Sequence, residues 1–264
     1  MQGRILAIIL IAGMMTNTHK ISNKITKSLS LQEITTMILY TGDIHGSLSR
    51  IAYAVNQGIV KAGDTLVVLG DAGFNYFGNS QDSRLKYQLG KYGVTLFCIH
   101  GNHEMRPETI PSYKTKIWND GTVFYEEQYP YLLFAKDAEV YNLAGQKTIV
   151  CGGAYSVDKY IRLQRGFAWF ADEQPSAAIK SLVESKLDSL SWNINQVLTH
   201  TCPSRYIPGE AFLSGIDQST VDQSTEIWLD SLADKLKYKR WLCGHWHIDK
   251  RIDNFRFVMQ DIIE

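Results

Sequence analysis

The chain has 264 residues, and its 27 basic and 27 acidic side chains give a formal net charge of zero at pH 7. This length is enough to bury one large α/β core, and the balanced charge excludes the uniformly basic surface that holds long nucleic acids or anionic membranes. The four cysteines stand singly in or beside apolar runs, which excludes a zinc ribbon or a disulfide scaffold and favours a reducing cytoplasm. They are Cys98, Cys151, Cys202 and Cys243.

Residues 1–36 have two main interpretations that the sequence leaves open, and a third, that they form a packed element of the fold, is the least favoured. Arg4 and the apolar stretch 5–15 resemble the start of a secretory signal, although the stretch is too short to span a bilayer and no small-residue cleavage site follows. Alternatively, Met37 directly precedes the first predicted strand, and the segment is a dispensable N-terminal extension. The first interpretation predicts export or membrane association. The second predicts a cytoplasmic protein, which we favour, and in both the predicted domain comprises residues 37–264.

Three predicted strands open this domain, and each ends in polar residues. The first begins at Ile38 and stops at Asp43, which His45 follows two positions later, so both side chains point to the same side of an extended chain. Ser47 is predicted to cap a helix that continues to Gly58. The next strand, helix and strand are predicted at 65–69, 80–89 and 94–99. The carboxyl ends of strands are where open α/β sheets bind their ligands.

The middle of the chain predicts hairpins and loops. Residues 105–137 are rich in aromatic residues and contain Asn119-Asp120-Gly121, a typical two-residue hairpin turn. A second hairpin is predicted from strands at 139–143 and 148–151. Residues 154–175 show no apolar period and are predicted to be a loop.

The last third of the chain predicts two helices and three strands. Ser176 precedes a helix with one apolar face, and Thr220 with Gln223 forms a capping box for a helix that reaches about Lys237. The strands are predicted at 196–199, 241–243 and 255–259, the last at a sheet edge. The first two of these strands lead directly to histidines.

Six of the seven histidines lie at or within a few residues of a predicted strand end. They are His45, His100, His103, His200, His245 and His247. With Asp43, Asp71 and Asn102 they supply nitrogen and oxygen ligands without a thiolate cluster, which suits manganese, iron, zinc or a related divalent ion. Two ions that share one carboxylate would account for this many ligands. His100 lies within its strand and is expected to be a core residue.

Five short motifs, in this order, resemble those of the calcineurin-like metallophosphoesterase superfamily. They read Gly42-Asp-Ile-His-Gly46, Gly70-Asp71, Gly101-Asn-His-Glu104, Thr199-His200 and Gly244-His-Trp-His247. The resemblance covers about residues 37–250. It implies an α/β protein with the calcineurin-like four-layer α/β/β/α sandwich, in which two mixed β-sheets are flanked by helices. It also implies hydrolysis of a phosphomonoester or phosphodiester.

The resemblance further implies two divalent metal ions, manganese, iron, zinc or nickel, with manganese favoured. The ligands of one ion would be Asp43, His45 and His247, and those of the other Asn102, His200 and His245. Asp71 would bridge the ions, and His103 corresponds to the catalytic histidine beside the scissile phosphate. A hydroxide between the ions would attack phosphorus while His103 assists the leaving group. Glu104 is expected to orient a neighbour.

One departure from the family pattern concerns the substrate. Protein serine/threonine phosphatases of the superfamily continue the second motif with a further Asp and a phosphate-holding Arg, but residues 70–76 here contain neither. Residues 152–176 instead resemble a segment of small bacterial and phage members. Lys159, Arg162 and Arg165 in this segment are candidates to clamp a phosphate, with nearby aromatic residues stacking on a ring. A surface loop that covers the sheet is the open alternative.

We therefore expect a metal-dependent phosphoric ester hydrolase that acts on a small phosphate ester or nucleotide. No stable nucleic-acid partner is expected, and membrane association is expected only if residues 1–36 act as a signal or anchor. A nuclease acting on nucleic-acid ends is the second candidate, although the neutral charge counts against it. A non-catalytic scaffold on the same fold is the third, and the intact ligands at all five motifs argue against it.

Overall fold

The computed structural model describes residues 36–264, so the signal-like segment lies outside the described residues. Residues Met37–Glu264 form one compact unit, and none of the described helices has the length and apolar character needed to cross a membrane. The strands are β1 (Ile38–Thr41), β2 (Thr65–Val68), β3 (Thr95–Cys98), β4 (Lys114–Trp118), β5 (Gly121–Tyr125), β6 (Leu132–Ala135), β7 (Val140–Leu143), β8 (Gln146–Cys151), β9 (Gln196–Thr199), β10 (Arg240–Cys243), β11 (Lys250–Ile252) and β12 (Phe255–Phe257). The α-helices are α1 (Ser49–Asn56), α2 (Ser80–Leu89), α3 (Lys159–Arg165), α4 (Ala177–Ser189) and α5 (Ser224–Ala233).

The strands form two mixed sheets of six strands each. The first has the order β1-β2-β3-β6-β5-β4, in which β1, β2, β3 and β6 are parallel and β5 and β4 run antiparallel to their neighbours. The second has the order β11-β12-β10-β9-β8-β7, in which β12, β10, β9 and β8 are parallel. Its outer strands β11 and β7 are antiparallel to their neighbours.

Alternation of side chains along the strands separates three apolar layers. In and directly after β2, Leu66 and Val68 belong to a buried cluster shared with α1 and α2, whereas Val67 and Leu69 belong to a cluster shared with the second sheet. A third cluster joins the outer face of the second sheet to α4 and α5. Helices, sheet, sheet and helices therefore stack in four layers, which confirms the predicted fold class.

Two predicted helix starts are wrong. Ser47 does not cap α1, because Leu48 occupies the N-cap position and makes no side-chain capping hydrogen bond. The capping box of Thr220 and Gln223 is also wrong, because Thr220 ends a short 3-10 turn and α5 begins only at Ser224. The start of α4 is as predicted, since the Ser176 hydroxyl accepts a hydrogen bond from a main-chain N–H of the first turn.

Two further elements differ from the sequence expectation. The predicted loop 154–175 contains α3, whose large apolar residues Tyr160 and Leu163 are 68% and 53% exposed. Because these residues do not form a buried face, the helix gives no amphipathic signal. The strand predicted at 255–259 is not at the sheet edge, because the three-residue strand β11 pairs with β12 on its outer side. A strand as short and polar as β11 leaves no apolar pattern to detect.

The topology brings the motifs to one place. Strands β1, β2 and β3 are parallel neighbours in the first sheet, and β9 and β10 are parallel neighbours in the second. The five motifs follow the carboxyl ends of these five strands. Since the two sheets pack face to face through one shared cluster, both sets of strand ends reach the same edge of the sandwich.

The packing between the sheets generates a stability prediction. Phe97 is fully buried, and its ring centroid lies 4.9 Å from that of Tyr141 and 4.8 Å from that of Trp118. We expect Phe97→Ala to lower the free energy of unfolding, measured by urea denaturation, by about 3–5 kcal/mol. The control Leu182→Ala replaces a side chain that is 60% exposed on α4 and should change it by less than about 0.5 kcal/mol. Equal losses in the two variants would contradict this packing.

Candidate metal and catalytic site

All seven side chains predicted as metal ligands lie together at the carboxyl ends of the motif strands. They form two groups that both approach Asp71, with Asp43, His45 and His247 in one and Asn102, His200 and His245 in the other. His103 lies beside both groups.

The first group surrounds the Asp43 carboxylate. Nε2 of His247 lies 3.2 Å from Oδ2 of Asp43 and 3.3 Å from Nε2 of His45. Nε2 of His45 lies 3.8 Å from the same carboxylate oxygen. One carboxylate and two imidazoles with donor atoms this close form a donor set that suits a divalent cation.

The second group is centred on the Asn102 side chain. Its Oδ1 lies 2.8 Å from Nε2 of His200 and 3.1 Å from Nδ1 of His245. Nε2 of His200 is also 3.6 Å from Oδ2 of Asp71. The amide oxygen therefore lies within 3.1 Å of two imidazole nitrogens, and a carboxylate oxygen lies near one of them, so this group could hold a second cation.

Asp71 lies between the two groups. Its Oδ2 is 3.9 Å from Nδ1 of His45 in the first group and 3.6 Å from Nε2 of His200 in the second. Its Oδ1 accepts a hydrogen bond of 2.8 Å from the main-chain N–H of His103. This bond fixes a carboxylate that is only 1% exposed and directs one oxygen toward both groups.

Unusual backbone conformations bring these side chains so close together. Four of the candidate ligands have positive φ angles, namely His45 at 44°, Asp71 at 47°, His245 at 64° and His247 at 51°. Non-glycine residues rarely adopt this left-handed conformation, which turns the chain sharply after each strand. Two motif glycines provide the room, because a Cβ atom at Gly70 would collide with the ring of His200 and one at Gly101 with the carboxylate of Asp71.

Burial and mutual contacts determine the charges in the site. Burial alone would raise the pKa of Asp71, but the nearby histidines, His200 foremost, hold it well below its usual value. Burial would lower the pKa of His200, but Asp71 and Asp43 raise it to about 9. Burial lowers the pKa of His245 to about 3. Ionised carboxylates and a neutral imidazole are the forms that bind cations, and a cation would replace the proton of His200.

Two residues missed by the sequence analysis orient Asn102. The Nδ2 group of Asn102 donates a 2.9 Å hydrogen bond to Oγ of Ser156, and the Ser156 hydroxyl donates one of 2.5 Å to Oε2 of Glu173. Trp169 Nε1 donates to the same carboxylate oxygen at 2.8 Å. With Nδ2 engaged, Oδ1 of Asn102 must face the two histidines. Ser156 and Glu173 lie among other polar residues in a segment without apolar periodicity, so no sequence signal marks them.

Glu104 links the second and third motifs through the main chain. Its buried carboxylate accepts hydrogen bonds from three main-chain N–H groups, those of Ala72, Gly73 and Gly101. Burial and the charge of Asp71 raise its pKa to about 8. His100 is buried and belongs to neither ligand group, and its ring nitrogens have no hydrogen-bond partner among the described residues. Glu104 therefore holds the main chain of the second and third motifs together.

His103 and Arg162 stand side by side at the mouth of the site. Nε2 of His103 lies 3.9 Å from Oδ2 of Asp71 and 3.4 Å from Nη2 of Arg162. Burial, reinforced by Arg162 and opposed by Asp71, lowers the pKa of His103. Arg162 forms an ion pair of 2.8 Å with Asp158 and lies 3.4 Å from the Tyr76 hydroxyl. The guanidinium is thereby held next to the catalytic candidate.

The other two cationic candidates of this segment are placed differently. The Lys159 ammonium lies over the Trp169 ring, 4.0 Å from its centroid, and Arg165 is exposed. Two cavities open beside the ligand groups. Arg162 lines both of them, whereas Lys159 and Arg165 line neither.

The two cavities differ in position. One of about 490 Å³ extends along α2, and the other of about 350 Å³ extends over the second group. His45, His103 and Arg162 line both cavities. The site therefore has room for a ligand on either side of His103.

Comparisons with known proteins place this geometry in a family. The model of the calcineurin-like phosphoesterases matches residues 36–249. Among solved structures, the chain resembles TT1561 of Thermus thermophilus, with 13% identity, coverage of 84% of this chain and 87% of that chain, and a TM-score of 0.47. It also resembles phosphopantetheinyl hydrolase (PptH) of Mycobacterium tuberculosis, with 15% identity, coverage of 85% and 88%, and a TM-score of 0.44. No curated protein sequence matches this chain significantly.

The family match spans all five motifs and every strand that carries them. Two donor groups of carboxylate, amide and imidazole lie at the ends of those strands, as metal-dependent hydrolysis requires. The chain therefore belongs to the calcineurin-like phosphoesterase family and is a metal-dependent phosphoric ester hydrolase.

Proposed function

We propose that the protein uses two divalent cations, preferably manganese, to hydrolyse a phosphomonoester or phosphodiester of a small molecule or nucleotide. The first ligand group would hold one cation and the second group the other, with Asp71 shared. The position of Asp71 Oδ2 within 3.9 Å of donor atoms from both groups is the observation that carries this proposal. Two bound cations would lower the pKa of a water between them and neutralise the phosphoryl oxygens.

The chain's own residues supply the remaining steps. Hydrolysis forms a bond from the water oxygen to phosphorus and breaks the bond from phosphorus to the leaving oxygen. In this proposal the negative charge of the bound phosphate ester offsets the lowered pKa of His103, so that the ring is protonated and donates a proton from Nε2 to that leaving oxygen. Arg162, 3.4 Å from the same ring nitrogen, binds a phosphoryl oxygen and keeps the ester within reach of His103. Both residues line the two cavities from which a substrate would enter.

The other candidates receive less support. The chain has no net positive charge, which a nuclease would use to hold its polymer. Both ligand groups are complete, whereas a non-catalytic scaffold has no need of them. The cytoplasmic location, the dispensability of residues 1–36 and the domain boundary before Met37 stay predictions.

The proposal is tested by metal content and hydrolysis in two contrasting variants. The manganese-loaded full chain should bind two ions and hydrolyse 4-nitrophenyl esters. His103→Ala should retain both ions, measured by mass spectrometry of the metal, while hydrolysis falls by roughly 100-fold or more, because the proton donor is lost. Asp71→Ala should lose metal and activity together. One ion per wild-type chain would contradict the dinuclear site, and metal loss in His103→Ala would show that His103 is a ligand.

Ser156 is proposed to act by positioning Asn102. In Ser156→Ala the Asn102 amide loses its hydrogen-bond acceptor and can turn its oxygen away from the second group. We expect the affinity for the second manganese ion, measured by titration calorimetry of the metal-free protein, to fall about 10–100-fold. The first ion should bind as before. Ser189→Ala on α4, whose hydroxyl donates to a helix carbonyl, is the matched control. Unchanged binding of both ions would contradict this role.

Arg162 is predicted to bind the substrate phosphate. Arg162→Ala should lower kcat/KM for 4-nitrophenyl phosphate about 10–100-fold, because one charge-assisted hydrogen bond is lost, while metal content stays constant. Arg251→Ala removes an arginine from a cavity that contains none of the candidate ligands and should have no effect. A larger loss in Arg165→Ala than in Arg162→Ala would mean that a different cation of α3 reaches the phosphate.

A further inference from the structure

One buried carboxyl group beside the metal site has an oxygen that no other described residue satisfies. Among the described residues that have a buried side-chain nitrogen or oxygen without a hydrogen-bond partner, Glu226 is the one that lines a cavity beside the ligand groups. Its side chain belongs to α5, the residue is 4% exposed, and the unpaired atom is Oε2. A buried oxygen of this kind costs free energy unless a hydrogen-bonding group reaches it. It therefore marks a position where such a group on a ligand would be bound favourably.

The other oxygen of Glu226 fixes the carboxyl group in place. The Thr201 hydroxyl donates a hydrogen bond of 2.7 Å to Oε1, and the same hydroxyl accepts one of 3.2 Å from Nε1 of Trp246. A glutamate three residues after the N-cap of a helix ordinarily bonds back to the main chain of that N-cap. Glu226 is in this position relative to Gln223, but it bonds to Thr201 instead. The carboxyl group is thus held beside the residues that follow the fourth motif.

One cavity connects Glu226 with the proposed phosphate site. The cavity of about 350 Å³ is lined by Glu226 and also by Asp71 and His103. An ester whose phosphorus is bound beside His103 can therefore extend a substituent toward Glu226. Asp158, another carboxylate that lines this cavity, is already paired with Arg162 at 2.8 Å.

The chemistry of the unpaired oxygen favours a hydroxyl group as its partner. Burial raises the pKa of Glu226, and a hydroxyl fits both forms because it can donate to a carboxylate or accept from a carboxylic acid. An ammonium group would fit only the ionised form, and Arg162 and the proposed cations would repel it. An alkyl group would leave Oε2 unpaired.

We propose that Glu226 selects phosphate esters that carry a hydroxyl on the substituent lying in this cavity, as sugar and polyol phosphates do. Oε2 forms a hydrogen bond with that hydroxyl while Oε1 stays bound to Thr201. This inference rests on the proposed function, since it takes phosphorus to be bound beside His103. Glu226 is then a specificity-determining residue, because it contacts the substrate away from the bond that is broken.

The test compares pairs of esters that differ only by a terminal hydroxyl, using the manganese-loaded full chain. The substituents are propyl, butyl, pentyl and hexyl, each with and without the hydroxyl, and each is tested as its monophosphate and as its 4-nitrophenyl diester. We expect the hydroxyalkyl ester whose chain reaches Oε2 to exceed its alkyl partner in kcat/KM by about tenfold or more, because the alkyl partner leaves a buried polar atom unpaired. Alkyl esters that equal or exceed their hydroxyl partners at every chain length would overturn the proposal.

Two matched variants separate recognition by Glu226 from a structural role. Glu226→Met keeps an unbranched side chain but removes both oxygens, and it should bring the hydroxyalkyl-to-alkyl ratio of kcat/KM for the preferred pair to near one. Glu184→Met on α4 removes a carboxylate that accepts a hydrogen bond of 2.7 Å from Nε1 of Trp228 but lines neither cavity, so the ratio should stay as in the wild type. A ratio that survives in Glu226→Met, or that falls equally in both variants, would contradict recognition by Glu226.

Binding of non-hydrolysable analogues gives a measurement that is independent of turnover. The hydroxyalkylphosphonate of the preferred chain length should bind the manganese-loaded protein about tenfold more tightly than the alkylphosphonate in calorimetry, and Glu226→Met should remove the difference. Equal binding of the two by the wild type would overturn this inference while the phosphoesterase activity stands. Failure to hydrolyse any of the esters, with any divalent metal, would instead count against the proposed function itself.

Discussion

Two buried carboxylates, Asp43 and Asp71, are the constraint on which the rest of the site depends. They are each 1% exposed, and the charge of Asp71 acts to raise the pKa of Asp43, so these buried charges need compensation. In the protein without cations, His200 and main-chain N–H groups of the third and fifth motifs supply it. Divalent cations would supply it more completely. The fold thus concentrates negative charge where phosphoester chemistry requires positive ions.

Local sequence patterns were sufficient to locate the candidate ligands. Each stands just after a short apolar run, as Asp71 does after β2 and His200 after β9, so strand prediction and motif position agreed. The assignment of these strands to two different sheets has no local signal. The family resemblance implied two mixed sheets but not which strands form each, because pairing between strands distant in sequence depends on tertiary packing rather than on periodicity.

The supporting residues could not be found in the same way. Ser156 and Glu173 are two of many polar residues within 154–175, and their importance arises only when the folded chain brings them next to Asn102. The helix α3 was also not predicted, because its apolar side chains are exposed to solvent instead of packed in the core. The segment 154–175 connects the candidate substrate-binding residues with the candidate metal ligands. Glu173 accepts hydrogen bonds from Trp169 and from Ser156, and Ser156 in turn accepts one from the candidate ligand Asn102. A substitution in this segment that alters substrate binding would therefore also affect metal binding, and the reverse holds too.

Four of the candidate ligands have a left-handed backbone conformation, which has a consequence for protein engineering. Each non-glycine residue in that conformation costs about 1–2 kcal/mol relative to an ordinary one, so these four residues place backbone strain in the site. Glycine or asparagine in place of His245 or His247 would adopt this backbone conformation with less strain than the native histidine. Directed evolution that selects only for thermal stability would therefore tend to lower catalytic activity. A screen that also selects for activity should find its stabilising substitutions in the outer helices instead.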